Sequence, residues 1–273
     1  MESEITPGIS VLIRTYNSAR TLPQVLQKLI LEDKDELIVI DSGSTDSTIE
    51  VAQSYGADVF VTQPPFNYST SLNLGFEVAK NAWIFVISSH TIPNAANIIA
   101  ILRDFAVKAP PDIVVGFGVV GLTSPRHSDN NTLEPFKRMP KGTLSCGAGN
   151  TLALYRRQIW LQHIFDENLA TAEDLEWFIW AVQQGYAGAQ IPRAVATYRN
   201  QGSFLHMFRK GWLEVKQAQS LTPSREESKA EVIVHCARGI GHFSKLWILE
   251  GLPFISMLKQ QSHHIGSCLA KLW

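Results

Sequence analysis

Residues 36–48 read Glu-Leu-Ile-Val-Ile-Asp-Ser-Gly-Ser-Thr-Asp-Ser-Thr, an apolar strand that ends in Asp41 and passes through a Gly-Ser-Thr turn into a helix. Ligands of open α/β sheets collect beyond the carboxyl ends of the strands. Asp41 stands at that edge, able to accept hydrogen bonds from a base or ribose. Some 25 residues earlier the same arrangement occurs, where the strand Ile9–Ile13 runs into Arg14-Thr15-Tyr16-Asn17. Two successive strand ends with polar groups point to a nucleotide pocket near the start of the chain.

The 273 residues suffice for one large α/β domain with a full core, or a domain with an appendage. Hydrophobic residues make up 45% and charged residues 18%, a globular and not a disordered balance. A net charge of −1 argues against a general nucleic-acid surface, though not against a local basic patch. Cys146, Cys236 and Cys268 lack metal-type spacing, and their odd number argues against a disulfide framework, as expected in a reducing cytoplasm. Met1-Glu2-Ser3-Glu4 is acidic and the next apolar run is a strand, so no signal peptide is expected. Leu246 to Leu258 is the longest spanning candidate, but it is shorter than the ~20 residues required and is interrupted by Glu250, Gly251 and Pro253. The tail mixes Trp247, Phe254, Ile255 and Trp273 with Lys245, Lys259 and Lys271. That pattern fits packing on the main domain or a peripheral membrane contact.

Strand and helix signals alternate through the first hundred residues. Strand Ile9–Ile13 precedes an amphipathic stretch from Leu22 to Ile30. Strand Leu37–Ile40 precedes a helix expected to be capped by Ser44, with Asp46 in its first turn and Gly56 stopping it. A short strand at Asp58–Val61, a helix from Ser71 to Lys80 and a buried strand at Trp83–Ile87 follow. This alternation predicts a parallel sheet with right-handed crossovers. Further on come a strand at Ile113–Val120, a polar loop at Ser124–Thr143 and a strand at Asn150–Tyr155. A helix from Ala172 to Gln183, stopped by Gly185, leads to a last strand at Ala189–Tyr198. From Leu205 the pattern is helical, with a capping box at Ser224 and Glu227 and a break at Gly251 and Pro253.

The pairing of "VLIRTYNSARTL" with "ELIVIDSGSTDST" resembles the opening of a family 2 glycosyltransferase of the GT-A fold. The resemblance implies a mostly parallel, Rossmann-like central sheet flanked by helices over residues 1–215, and a helical C-terminal extension packed on it over 216–273. It assigns Thr15, Tyr16, Asn17 and Asp41 to the nucleotide. The polar loop from Phe66 enters a helix carrying Asn73-x-Gly75, like the family's next motif, and Asn73 is either a nucleotide contact or hydrogen-bonded within its own turn.

The family's D-x-D motif, which holds Mg²⁺ or Mn²⁺, is absent: the fourth strand runs into Ser88-Ser89-His90-Thr91-Ile92-Pro93. This resembles a variant subset of these transferases, and it puts the metal cofactor in doubt. His90 remains open as a metal ligand, as a cation meeting the diphosphate, or as a hydrogen-bonded loop residue. Arg199 stands where the family often has a histidine, and a guanidinium there is suited to a diphosphate. Thr171-Ala172-Glu173-Asp174-Leu175-Glu176-Trp177 resembles the family's E-D motif, with Asp174 as general base and Glu173 orienting the loop or meeting the acceptor. Gly147 and Trp177 are expected near the sugar and acceptor.

The resemblance thus implies inverting transfer from a nucleotide-sugar donor to a hydroxyl of a glycan, lipid-linked or small-molecule acceptor. The protein is expected in the cytoplasm, including the inner face of the membrane. Its alternative is a catalytically silent relative that binds nucleotide or sugar.

Overall fold

The computed structural model describes residues 6–63, 65–121, 136–139 and 149–199, together with Trp212, Leu213, Gln217, Ser220 and Leu221, which are helical. Two compact units divide the chain: residues 1–167 with 173–199, and residues 168–172 with 200–273. The extension expected over 216–273 lies almost wholly outside the described residues.

The first unit is built on one sheet of mixed direction. Strands β1 (Ile9–Thr15), β2 (Glu36–Asp41), β3 (Asp58–Val61) and β4 (Trp83–Ser88) pair in parallel, in the spatial order β3-β2-β1-β4. Beyond β4 the direction changes. Strand β8 (Leu152–Arg156) runs antiparallel to β4 and to β6 (Ile113–Gly121). Strand β9 (Ala187–Tyr198) is parallel to β6 and carries β5 (Thr91–Pro93) and β7 (Lys137–Arg138) as antiparallel partners.

The period of two in a strand sends neighbouring side chains to opposite faces. On one face Ile9, Val11 and Ile13 of β1 join Leu22, Val25 and Leu26 of α1 (Leu22–Leu26) and Ile98, Leu102 and Phe105 of α4 (Ile98–Lys108). On the other, Leu12 of β1 joins Leu72 and Phe76 of α3 (Tyr68–Val78) and Trp177 and Phe178 of α6 (Glu173–Gln183). Two shorter helices, α2 (Thr48–Ser54) and α5 (Arg157–Trp160), complete the unit.

Several element expectations are corrected. The helix expected from Leu22 to Ile30 ends at Leu26, after which single turns carry the chain through Leu29. Helix α2 begins at Thr48, and Ser44 is not its cap but a partner of Asp41. Asp46 bonds the hydroxyl and amide of Thr48, closing the turn before α2. Within the expected loop 124–143, the described residues Lys137 and Arg138 form strand β7 on β9. Helix α4 and strand β5 have no counterpart in the sequence reading.

Candidate active site

Three groups of side chains gather at the carboxyl ends of β1, β2 and β4. The first surrounds Asp41. Register pairs Thr15 with Asp41, and the Thr15 hydroxyl donates to Asp41 Oδ2 at 2.7 Å. The same oxygen accepts from Ser44 Oγ at 2.6 Å, while Oδ1 accepts the backbone N–H groups of Gly43 and Ser44 at 3.0 and 2.7 Å. Asp41 is fully buried, so these four bonds compensate a charge removed from water. Gly43 has φ +82°, which a side chain would strain, and this explains the Ser-Gly-Ser order of the turn. Asn17, itself at φ 46°, donates its N–H to Ser44 Oγ and accepts the Thr45 N–H at 2.8 Å. Asn17 therefore stitches the two strand-end loops together. Tyr16 projects outward, 59% exposed.

The second group lies at the end of β4. Ser89 is buried, with its hydroxyl 2.8 Å from that of Ser18. The Ser18 N–H in turn donates to Thr48 Oγ1 at 2.7 Å, tying this loop to α2. The His90 ring meets Tyr198 edge-on at 4.7 Å, and the Arg199 N–H donates to the His90 carbonyl at 2.8 Å. The backbone thus brings the Ser88-Ser89-His90 segment beside Arg199, whose side chain is exposed. Hard divalent cations require several oxygen donors, carboxylates above all. No cluster of three or more histidine, cysteine, aspartate or glutamate residues exists among the described residues. The two serines and one histidine here do not fit such a cation.

The third group sits on the face shared by Leu12 and Arg14. Glu173 and Asp174 open α6, where the positive end of the helix favours carboxylates. Asp174 Oδ2 accepts the Asn150 N–H at 2.9 Å and Oδ1 accepts the Leu175 N–H at 2.8 Å. Glu173 Oε1 accepts from the Asn150 side-chain amide at 3.1 Å, and the Tyr155 hydroxyl donates to Asn150 Oδ1 at 2.7 Å. Arg14 places Nη1 3.8 Å from Glu173 Oε1 and its guanidinium 4.9 Å from the centre of the Tyr68 ring. That buried Nη1 makes no hydrogen bond. Burial, and secondly the neighbouring Glu173 charge, raise the Asp174 carboxyl to about 7 against the two backbone bonds and Arg14. Burial, then Asp174 and Glu173, push the Tyr155 phenol well above its usual value. A carboxyl poised near neutrality can take a proton and return it.

Two sequence-expected site residues are engaged within the fold. Asn73 is buried and spends its amide on the 165–167 segment: Nδ2 donates to the Phe165 carbonyl and to the Glu167 side chain at Oε1, both at 2.9 Å, and Oδ1 accepts the Phe165 N–H at 3.1 Å. These partners lie across the fold, not within its own helical turn. Trp177 is fully buried, its indole N–H donates to the His163 carbonyl at 2.7 Å, and its ring packs 5.2 Å from Tyr155. It is a core residue with no face left for a sugar. Gly147 lies outside the described residues. Tyr155 has no site role in the sequence reading, Arg14 enters it only as one of the polar groups after the first strand, and Asn150 only as the end of the stretch 144–150 expected to border the sugar and acceptor. For Arg14 the signal is parity: a charged residue two positions after buried Leu12 must point into the fold.

Comparison with known proteins agrees with this architecture. Residues 10–161 match the family described as glycosyl transferase family 2, and the chain belongs to that family. The O-antigen chain rhamnosyltransferase of Salmonella typhimurium is 28% identical over 223 residues, spanning 70% of this chain and 66% of that protein. A glycosyltransferase of Rickettsia bellii is 35% identical over 89 residues, 33% of this chain and 30% of its own length, so the match spans less than a third of that relative. Among solved structures, a mannosyltransferase from Pyrobaculum calidifontis in complex with GDP-Man and Mn²⁺ superposes with a TM-score of 0.64. It is 16% identical, and the alignment covers 99% of this chain and 88% of that one. Glucosyl-3-phosphoglycerate synthase from Mycobacterium tuberculosis, with Mg²⁺ and UDP, gives 0.60 at 17% identity and 82% coverage of each chain. The fold is GT-A.

Proposed function

We propose that this chain transfers a sugar from a nucleotide-sugar donor to an acceptor hydroxyl with inversion, Asp174 serving as general base. The observation that carries this reading is the Asp174 carboxyl, held by two backbone N–H groups beside Glu173 and raised to about 7. A base of that strength is half ionised near neutral pH and can accept the hydroxyl proton as oxygen attacks the anomeric carbon. The attacking oxygen and the departing nucleotide diphosphate occupy opposite faces, which inverts the configuration.

Thr15, Tyr16, Asn17 and Asp41 frame the nucleotide end of the site. In this reading Tyr16 supplies the exposed ring, and Asp41 fixes the loop that faces the nucleotide. Arg199, beside His90, offsets charge on the leaving diphosphate in the absence of D-x-D carboxylates. The acceptor is a glycan, a lipid-linked sugar or a small molecule, and polysaccharide assembly is the favoured setting, given the rhamnosyltransferase relative. No helix among the described residues is long and apolar enough to cross a membrane. Work in the cytoplasm or at the inner membrane face, through the C-terminal region, completes the proposal.

A second reading, a silent relative that binds nucleotide without turnover, draws on the missing carboxylates after β4. Thermal stabilisation by UDP, GDP and dTDP, each with Mn²⁺ and with EDTA, followed by turnover of the matching nucleotide-sugar, separates the two. Binding with turnover that Asp174→Asn abolishes supports the transferase; binding alone supports the silent relative.

A further inference from the structure

The two acids at the start of α6 differ in sequence by one position, yet a single residue on another element holds both of them. Asn150, just ahead of β8, is buried. Its backbone N–H reaches Asp174 Oδ2 at 2.9 Å and its side-chain amide reaches Glu173 Oε1 at 3.1 Å. The orientation of that amide follows from chemistry. The NH₂ group faces the accepting Glu173 oxygen, and the carbonyl oxygen is left for the Tyr155 hydroxyl to donate to at 2.7 Å. Arg14, on β1, adds a positive charge 3.8 Å from the same Glu173 oxygen.

Among the described residues, the charged and titratable groups that act on Asp174 are Glu173 on its own helix, Arg14 from β1 and Tyr155 from β8. Charge on one of two neighbouring buried carboxylates disfavours charge on the other, so a proton goes first to the less well stabilised of them. The donors decide where it sits. Glu173 receives the amide and the guanidinium, whereas Asp174 receives two backbone donors but must bear its neighbour's charge.

We propose that Asn150 is a positioning residue that divides the labour of the two acids, keeping Glu173 the resident anion and leaving Asp174 the carboxyl that takes the acceptor's proton. Tyr155 acts one step further back by locking the Asn150 amide. This rests on the reading of Asp174 as general base. Asn150 touches no substrate in this scheme and acts only through the two acids.

The side-chain carboxyls can be followed by ¹³C NMR against pH in the full chain, with Asp174→Asn and Glu173→Gln assigning the two signals. Asn150→Leu keeps the backbone donor to Asp174 and deletes only the amide. The expected result is reciprocal: the Asp174 midpoint falls by about one pH unit and the Glu173 midpoint rises, the size expected for one lost hydrogen bond to a charged group. Tyr155→Phe, a milder change that preserves the ring, moves both in the same directions by less and serves if Asn150→Leu does not fold. Unchanged midpoints in a folded Asn150→Leu or Tyr155→Phe protein would overturn the role of Asn150 while leaving the base assignment intact. Full turnover by Asp174→Asn would instead remove the base, and with it any task for Asn150 to divide.

Discussion

Asn73 and Phe165 close a two-bond clasp: the Asn73 amide donates to the Phe165 carbonyl at 2.9 Å and receives the Phe165 N–H at 3.1 Å, across 92 positions of sequence. The clasp fastens α3 to the segment that leads toward α6. Replacing Asn73 with Ala orphans a buried N–H and a carbonyl, so unfolding free energy should fall by about 2–4 kcal/mol. Urea denaturation measures this. Lost nucleotide affinity at unchanged stability would show instead that Asn73 meets the ligand.

Gly75, two residues along the same helix, has a packing task too. A Cβ there would lie 2.3 Å from Leu12 Cδ1, inside van der Waals contact. Gly75→Ala should destabilise the protein by about 1–3 kcal/mol despite the better helix propensity of alanine. Adding Leu12→Val should recover part of the loss, which a double-mutant cycle would read as a favourable coupling.

The raised Asp174 carboxyl has a consequence for stability with a definite sign. Its folded value, about 7, exceeds the ordinary 3.8, so between these two pH values the folded state binds more protons than the unfolded one. Stability contributed by this group is thus present below about pH 4 and is lost as pH rises toward about 7. Asp174→Asn should remove that slope, and its melting temperature relative to wild type should climb across the same window. The same variant should lose roughly 10²–10⁴-fold in kcat, with nucleotide binding retained. A parallel pH profile of melting in both proteins would contradict the raised value.

Arg199 offers a separate test of how the leaving diphosphate is held. Arg199→Ala should lower kcat by about 10²-fold or more, in the range of losing one charged group that steadies a leaving oxyanion. Turnover of the unaltered protein should persist in EDTA. Undiminished turnover in Arg199→Ala, or its collapse in EDTA, would argue for a metal in place of the guanidinium.

The parallel half of the sheet is legible because β1, β2 and β4 are apolar runs bounded by polar turns, each signal being local. Helix α4 is harder to read, since its apolar run between Pro93 and Pro110 is equally suited to a buried strand. Its local cue is Asn97, whose side chain accepts the Ala100 N–H as an N-cap. Strand β5 has three residues, one of them proline, and owes its conformation to β9. The E-D motif at 173–174 reads directly from sequence, but its supports do not: Arg14 on β1 and Asn150 just ahead of β8 reach the acids from other parts of the chain. Trp177 misleads for a related reason. Motif proximity cannot say which way a helix turns its side chains, and the helix period sends Trp177 into the core.

The end of β4 and the start of β5 are separated by two residues, yet β5 pairs only with residues 196–198 of β9. The Ser88-Ser89-His90 segment between them therefore cannot settle by local interactions alone. During synthesis, about a hundred further residues must leave the ribosome before its partner strand exists. The candidate-site rim at His90 can therefore be completed only after β9 has been made. A nascent chain stalled before Ala187 would lack the strand that frames His90, so completion of the site waits on β9.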